Sequence, residues 1–446
     1  MEFSLKYISD VCGRLSSFAD PDRIVNGFFS DSRTPEKSKL FLAIRGERVD
    51  GNSFVPELVK NGIAVMTDRE EYADLEGDVI YVGDVRDALQ RLAESYRLNE
   101  IDTISVIGIT GSVGKTTTKD MVALAISGAL TVHKTAGNAN SQIGLPQTVL
   151  ATPKNIGCAV VELGMSEKGE MERIARSARP DISIITNIGY SHIENLGSRE
   201  AIRDEKLKIS SFSPADSLLI LNGDEPLLRE YCFGDKKVCF VSYEDSSCDC
   251  YAADIEETET GVSFKACICG ETVFVNLSVR GRHFVINSLF ALAAARSLGI
   301  SLETAAKSLA LYESDGKRQY IYKNNGHTVI SDCYNASPES MQAALSVLKT
   351  AKGRRIAVLG DMLELGDESV RLHKQVGTYV NGCADVLVTY GEMSKYVASE
   401  VKDIKVYSFS LDESEALLAF LKELVAEGDT VLYKASNGIR LGRFIV

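Results

Sequence analysis

The stretch at 104–120, ISVIGITGSVGKTTTKD, constrains this chain most. An apolar run over 104–109 ends in a glycine-rich turn, Thr110-Gly111-Ser112-Val113-Gly114-Lys115-Thr116, and helix formers follow over 119–129. Strand, glycine-rich loop and helix in that order let backbone N–H groups wrap a phosphate at a helix N-terminus. In that setting Lys115 reaches the β/γ-phosphates and the Thr116 hydroxyl ligates Mg²⁺. A strict Walker A motif needs a glycine five residues before Gly114, and the chain has Ile109 there. The loop is therefore a variant, with Gly111, Ser112, Gly114, Lys115, Thr116 and Thr117 as its phosphate-side residues.

Composition narrows the partners. A net charge of −13 over 446 residues argues against a broad nucleic-acid surface. The N-terminal MEFSLKYISDVCGR lacks a basic segment followed by an apolar core, so no signal peptide is expected. No apolar run is long enough to span a bilayer. The ten cysteines show no paired CxxC at zinc spacing. Cys248 with Cys250, and Cys267 with Cys269, read as alternating buried strand residues, with a metal or disulfide pair as the alternative. Free thiols without an export signal fit the cytoplasm.

Length suggests three domains, with boundaries expected at 1–99, 100–312 and 313–446. The first reads as a small α/β unit, with strands at 28–32, 39–44, 63–67 and 79–82 and helices at 54–61 and 85–97. Two polar clusters stand out in it: Ser30-Asp31-Ser32-Arg33, and the run from Arg45 through Glu47, Arg48 and Asp50 to Asn52. Each is either a solvated turn or a diphosphate cradle. In the second unit, apolar runs at 129–132, 158–163, 182–187 and 217–222 alternate with helical stretches, as in a parallel sheet covered on both faces. Alternation over 251–280 then predicts an antiparallel hairpin before a helix at 287–298. The third unit repeats the parallel pattern with strands at 328–332, 356–359, 385–389 and 430–433, and a helix at 338–348. The fold class is α/β: a central P-loop-type parallel sheet flanked by a small N-terminal α/β domain and a C-terminal Rossmann-like domain.

Ligands of parallel sheets sit at the carboxyl ends of the strands. Glu162, Asn187 and Asn222 close central strands, and Asp332, Gly360-Asp361 and Lys434 edge those of the third unit. Phosphoryl transfer needs positioning, metal and charge neutralisation. Thr116 and Glu162 suit a first Mg²⁺. His192, just past a strand end, is either a ligand of a second ion or a hydrogen-bonded structural histidine.

These segments together resemble the Mur ligase family of ATP-dependent amide-bond-forming enzymes. The resemblance rests on ITGSVGKTTTKDM (109–121), GNANSQIGLP (137–146), ELGMSEKGE (162–170), TNIGYSHIENLGS (186–198), LNGDEP (221–226), DCYNASPESMQAAL (332–345) and VLGDMLELG (358–366). Tyr-Asn-Ala-x-Pro and Gly-Asp-Met-x-Glu-Leu-Gly favour the member that joins D-Ala-D-Ala to a UDP-N-acetylmuramoyl-tripeptide. The Asp-Asn-Pro-Arg string of the sibling that adds the third peptide residue is absent. The resemblance implies cytoplasmic peptidoglycan-precursor synthesis by a monomer, through an acyl phosphate made from ATP. It leaves two alternatives, another Mur-type or folylpolyglutamate-type ligase and a P-loop NTPase switch.

Carried over residue by residue, the family pattern implies catalytic roles for Lys115, His192 and Lys206, the last as a carbamate. It implies Thr116, Glu162, His192 and Lys206 around two Mg²⁺ ions. Asn287, Arg318, Asp332, Tyr334 and Asn335 fall on the nucleotide. Ser191, Asn138 and Asn140 fall on the muramoyl-peptide, and Ser30, Asp31, Ser32, Arg33 and Asp50 on the uridine diphosphate. Lys208 stands where many relatives carry an acid, and Asn52 where they carry histidine.

Overall fold

The computed structural model describes residues 2–446 except Glu47, Arg48, Glu259, Asp315 and Lys317. The polar run beginning at Arg45 therefore lies partly outside the described residues, as do two residues just after the expected start of the third unit at 313. Three large sheets organise the rest.

The N-terminal sheet has five short strands between Leu15–Ser17 and Val79–Tyr81. Its Leu40–Leu42 and Val65–Thr67 strands are wholly buried. The helix Val85–Asn99 starts where Asp84 accepts a hydrogen bond from the Asp87 amide. This helix docks the unit onto the central sheet. Tyr96 donates to the Thr152 carbonyl at 2.8 Å, and the buried Arg97 pairs with Asp181 at 3.0 Å.

The central sheet has nine strands. Ser105–Thr110 lies between Cys158–Glu162 on one side and Ile182–Ile185 on the other, all parallel. The chain fills one side of this strand before crossing to the other, which opens a crevice at its carboxyl end. The strands are apolar along their length and buried on both faces. The predicted hairpin does not stand apart. Cys250–Glu257 pairs in parallel with Lys237–Ser242 and antiparallel with Val262–Ile268, so the sheet is mixed. The third sheet has six strands, parallel except for the edge strand Tyr320–Asn324.

Several boundaries moved. The phosphate-loop helix runs Lys115–Ser127, starting four residues ahead of the expected 119. The strand expected at 129–132 is Val132–Lys134, because Ala129 and Leu130 close the preceding helix with hydrogen bonds to the Ile126 carbonyl. The strand expected at 28–32 ends at Phe29. Lys237–Ser242, Tyr320–Asn324 and Lys405–Phe409 are strands that the pattern did not reveal. Among the described residues no helix is long and apolar enough to cross a membrane.

Candidate active site

The glycines of the loop answer to geometry. Gly114 has φ +82°, the left-handed region that glycine enters without strain. A Cβ on Gly111 would lie 1.9 Å from the Thr186 hydroxyl. The loop is braced from the neighbouring strand. Asn187 Oδ1 accepts the Ser112 and Val113 amides at 3.0 and 2.9 Å. Thr186 Oγ1 donates to the Val113 carbonyl at 2.6 Å, and Ser112 Oγ accepts the Gly189 amide at 2.8 Å. Asn222 Nδ2 donates to the Thr186 carbonyl at 2.9 Å. Two loop amides are thus committed to Asn187. The phosphate-side donors are then the first-turn N–H groups of the helix Lys115–Ser127, which have no acceptor within it.

Lys115 Nζ arches back to the Gly111 carbonyl at 2.8 Å. Burial lowers its pKa, nearby Glu162 works the other way, and Arg318 adds to the lowering. Thr116 Oγ1 donates to Glu162 Oε2 at 2.8 Å, and Asn140 Nδ2 donates to Oε1 at 2.7 Å. Glu162 is 1% exposed. Both of its hydrogen bonds come from neutral donors, so neither offsets a carboxylate charge as an ion pair would, and its oxygens could hold a cation.

The opposite wall comes from the third unit. A cavity of about 460 Å³ lies between the two and is lined by Ser112 to Thr117, Asn140, Glu162, Ser191, His192, Asn287, Arg318, Asp332, Tyr334 and Asn335, among others. The Arg318 guanidinium stacks on the Tyr334 ring at 4.0 Å. Asp332 pairs with Lys434 at 2.6 Å, and Lys434 also donates to the Asn335 carbonyl at 2.9 Å. Asn287 Oδ1 accepts from Thr118 Oγ1 at 3.0 Å, fixing that side chain to the loop helix. His283 lines the same space, and burial pushes its pKa down to about 4.

His192 joins the walls. It sits at φ +64°, and its Nδ1 lies 2.6 Å from Glu364 Oε2, in the third unit's Gly-Asp-Met-x-Glu-Leu-Gly segment. The His192 hydrogen bond holds the Glu364 carboxyl below its usual range. With Nδ1 against this carboxylate, Nε2 is the ring nitrogen that could hold a metal.

Not every predicted residue reaches this cavity. Gly111 shapes the turn behind it. Lys206, fully buried on the helix Arg199–Leu207, lies outside the lining. Burial depresses its pKa well below the ordinary lysine value, and repulsion from Lys115 adds to this. Lys208 pairs with Glu205 at 2.8 Å, and Glu205 accepts the Gly169 and Met171 amides. Asn138 is exposed. Ser30, Asp31, Ser32 and Arg33 lie at the N-terminal unit's surface, where Arg33 folds onto Asp31 at 2.6 Å. Asp50 also lies outside the cavity. It accepts from the buried Asn52, which bridges to Asp68 at 2.8 Å and takes a bond from Thr67. Sequence reading picked out Asn187 and Lys434 as strand-end residues but gave neither a role. That position was their signal.

Known proteins bear on this architecture. The pattern for the Mur ligase middle domain matches residues 109–295, that for the Mur ligase glutamate ligase domain 317–437, and that for the Mur ligase family catalytic domain 25–97. The UDP-N-acetylmuramoyl-tripeptide–D-alanyl-D-alanine ligase of Bacillus subtilis is 39% identical, over 98% of this chain and 95% of its own. The ligase of the same name from Escherichia coli is 31% identical, over 93% and 92%. Among solved structures, MurF from Acinetobacter baumannii superposes with a TM-score of 0.89 at 27% identity, covering 100% of this chain and 98% of its own. MurF from Thermotoga maritima in complex with ADP gives 0.84 at 28%, covering 94% and 96%. A braced phosphate loop facing a second nucleotide-side wall, with sequence matches in all three segments, places this chain in the Mur ligase family.

Proposed function

We propose that the chain is the ATP-dependent ligase that joins D-Ala-D-Ala to UDP-N-acetylmuramoyl-tripeptide. The observation that carries this reading is the single cavity in which Lys115, Thr116 and Glu162 face Arg318, Asp332 and Tyr334. The units 1–99, 100–312 and 313–446 hold the uridine diphosphate, the phosphates and the rest of the nucleotide, respectively.

A carboxylate is a poor acyl donor until one oxygen becomes a good leaving group. The γ-phosphoryl of ATP passes to the tripeptide carboxylate, ADP departs, and the amine of D-Ala-D-Ala displaces phosphate from the acyl phosphate. Lys115 and the helix N-terminus position the phosphates and neutralise charge. Thr116, Glu162 and His192 fit two Mg²⁺ ions, because they offer a hydroxyl, a carboxylate bonded only by neutral donors, and a ring nitrogen turned away from Glu364. Bound there, the metal would offset charge on the phosphoryl oxygens. Lys206 fits a carbamate. The neutral amine is the form that takes up CO₂, and burial beside Lys115 favours it. Asn140, Ser191 and Asn138 serve the muramoyl-peptide, and Ser30 to Arg33 with Asp50 the uridine diphosphate. The enzyme works as a cytoplasmic monomer on small-molecule substrates, with no nucleic acid and no membrane insertion.

Phosphate release is measured with ATP, Mg²⁺, the UDP-linked tripeptide and each candidate amine. Release that requires D-Ala-D-Ala is expected, and release with no acceptor at all would overturn the reading. Lys206→Ala activity should recover in part with added short carboxylates, and failure across several acids removes the carbamate.

A further inference from the structure

Away from the cavity, three cysteines converge where the central sheet changes from parallel to antiparallel. Cys239 lies within the strand Lys237–Ser242, Cys250 opens Cys250–Glu257, and Cys269 follows Val262–Ile268 in the hairpin turn. Cys239 Sγ is 3.5 Å from Cys250 Sγ, which is 4.0 Å from Cys269 Sγ, and all three sulfurs lie within 4.8 Å of one another. A thiolate–metal bond of about 2.3 Å in a tetrahedral site sets sulfurs about 3.8 Å apart. Two of the three pairs already lie near that spacing, and the third is within about 1 Å of it.

The turn adds an independent observation. Cys269 and Gly270 both have positive φ, +47° and +88°, between the paired Ile268 and Glu271. Two-residue turns of this shape favour Asn, Asp or Gly at both positions. The chain instead holds a thiol in the left-handed region, with its sulfur turned back toward Cys250. Cys239 and Cys250 are buried and Cys269 is exposed, so an ion has a route in and a position left for water. Cys250 pairs with Val241 in the parallel ladder and with Ile268 in the antiparallel one. An ion here would clip the hairpin to the sheet.

We infer that Cys239, Cys250 and Cys269 form a binding site for one thiophilic d¹⁰ metal ion of the zinc or copper(I) type, structural and separate from the Mg²⁺ sites. Thiolates select such ions. Binding releases the three thiol protons to solvent and transfers no electrons.

The reduced full-length chain is titrated with Cd²⁺ and followed by thiolate-to-metal ultraviolet absorption, a signal that carboxylate and histidine sites do not give. The expected result is saturation at one equivalent, displacement of Cd²⁺ by Zn²⁺ or Cu⁺, and a higher Tm with Zn²⁺. Cys269→Ser, at an exposed position, should weaken binding by roughly tenfold or more. Cys239→Ser should do the same, and Cys232→Ser, at a distant exposed thiol, should change nothing. Absence of the band, or a band unaffected by Cys269→Ser, overturns the inference. So does a freshly isolated chain two hydrogens light, with Cys250 linked to either neighbour, because a disulfide would then be the trio's purpose.

Discussion

Two lysines face one cavity from opposite walls, and their surroundings differ. Lys434 ends a strand of the third sheet, is 1% exposed, and is held by Asp332 and the Asn335 carbonyl. Lys115 opens the phosphate-loop helix, and its hydrogen bonds go only to carbonyl oxygens of its own loop. Lys434 spends its charge within the protein, on Asp332 and the Asn335 carbonyl. Lys115 bonds to neutral carbonyls and pairs with no carboxylate among the described residues. Substitutions should therefore separate into those that remove chemistry and those that remove structure.

The largest effect is expected at Lys115→Ala, a loss of about 10³-fold or more in turnover with an unchanged urea midpoint. Turnover near that of the unsubstituted chain would erase the contrast. Lys434→Met should act through stability, costing about 3–5 kcal/mol by stranding Asp332, with part recovered in the Lys434→Met/Asp332→Asn double variant. Equilibrium urea unfolding reads both. Glu364→Gln loosens the carboxylate behind His192, and the Mg²⁺ concentration for half-maximal activity should rise roughly 10-fold.

Lys206 offers a test by pH. Its folded-state pKa lies well below the unfolded value of about 10.4. Between the two, the unfolded chain binds the extra proton, so stability rises with pH across that window. In carbonate-free buffer, Lys206→Met should flatten the rise that leads up to about pH 10, as read from urea midpoints. The smallest effect belongs to Arg33→Ala at the exposed Asp31 pair: KM for the UDP-linked substrate rises while kcat and stability hold.

The central wall was the most legible part of the sequence. Its strands are long apolar runs, and Glu162 and Asn187 mark their ends. The first turn of the loop helix was missed because Lys115, Thr116, Thr117 and Thr118 show no apolar period, and the glycine geometry alone starts it. Lys434 had no visible role because its partner is 102 residues away, and only the parallel register of Asp332 with Lys434 brings them together. The cysteines were legible in part, since Cys248 and Cys250 are both buried. CxC spacing suggested buried alternation, but Cys269 lies exposed in a turn, and Cys239 enters only through strand pairing. Local pattern encodes elements, whereas register brings together side chains from strands far apart in sequence.

The brace from Asn187 has a consequence for motion. With its amide partners fixed, the loop does not need to be ordered when a phosphate arrives, so nucleotide capture avoids that entropic cost. In amide hydrogen exchange, Ser112 and Val113 should be protected in the protein alone, while Gly114 to Thr117 exchange quickly until phosphate covers them. The landing surface is braced before any ligand arrives.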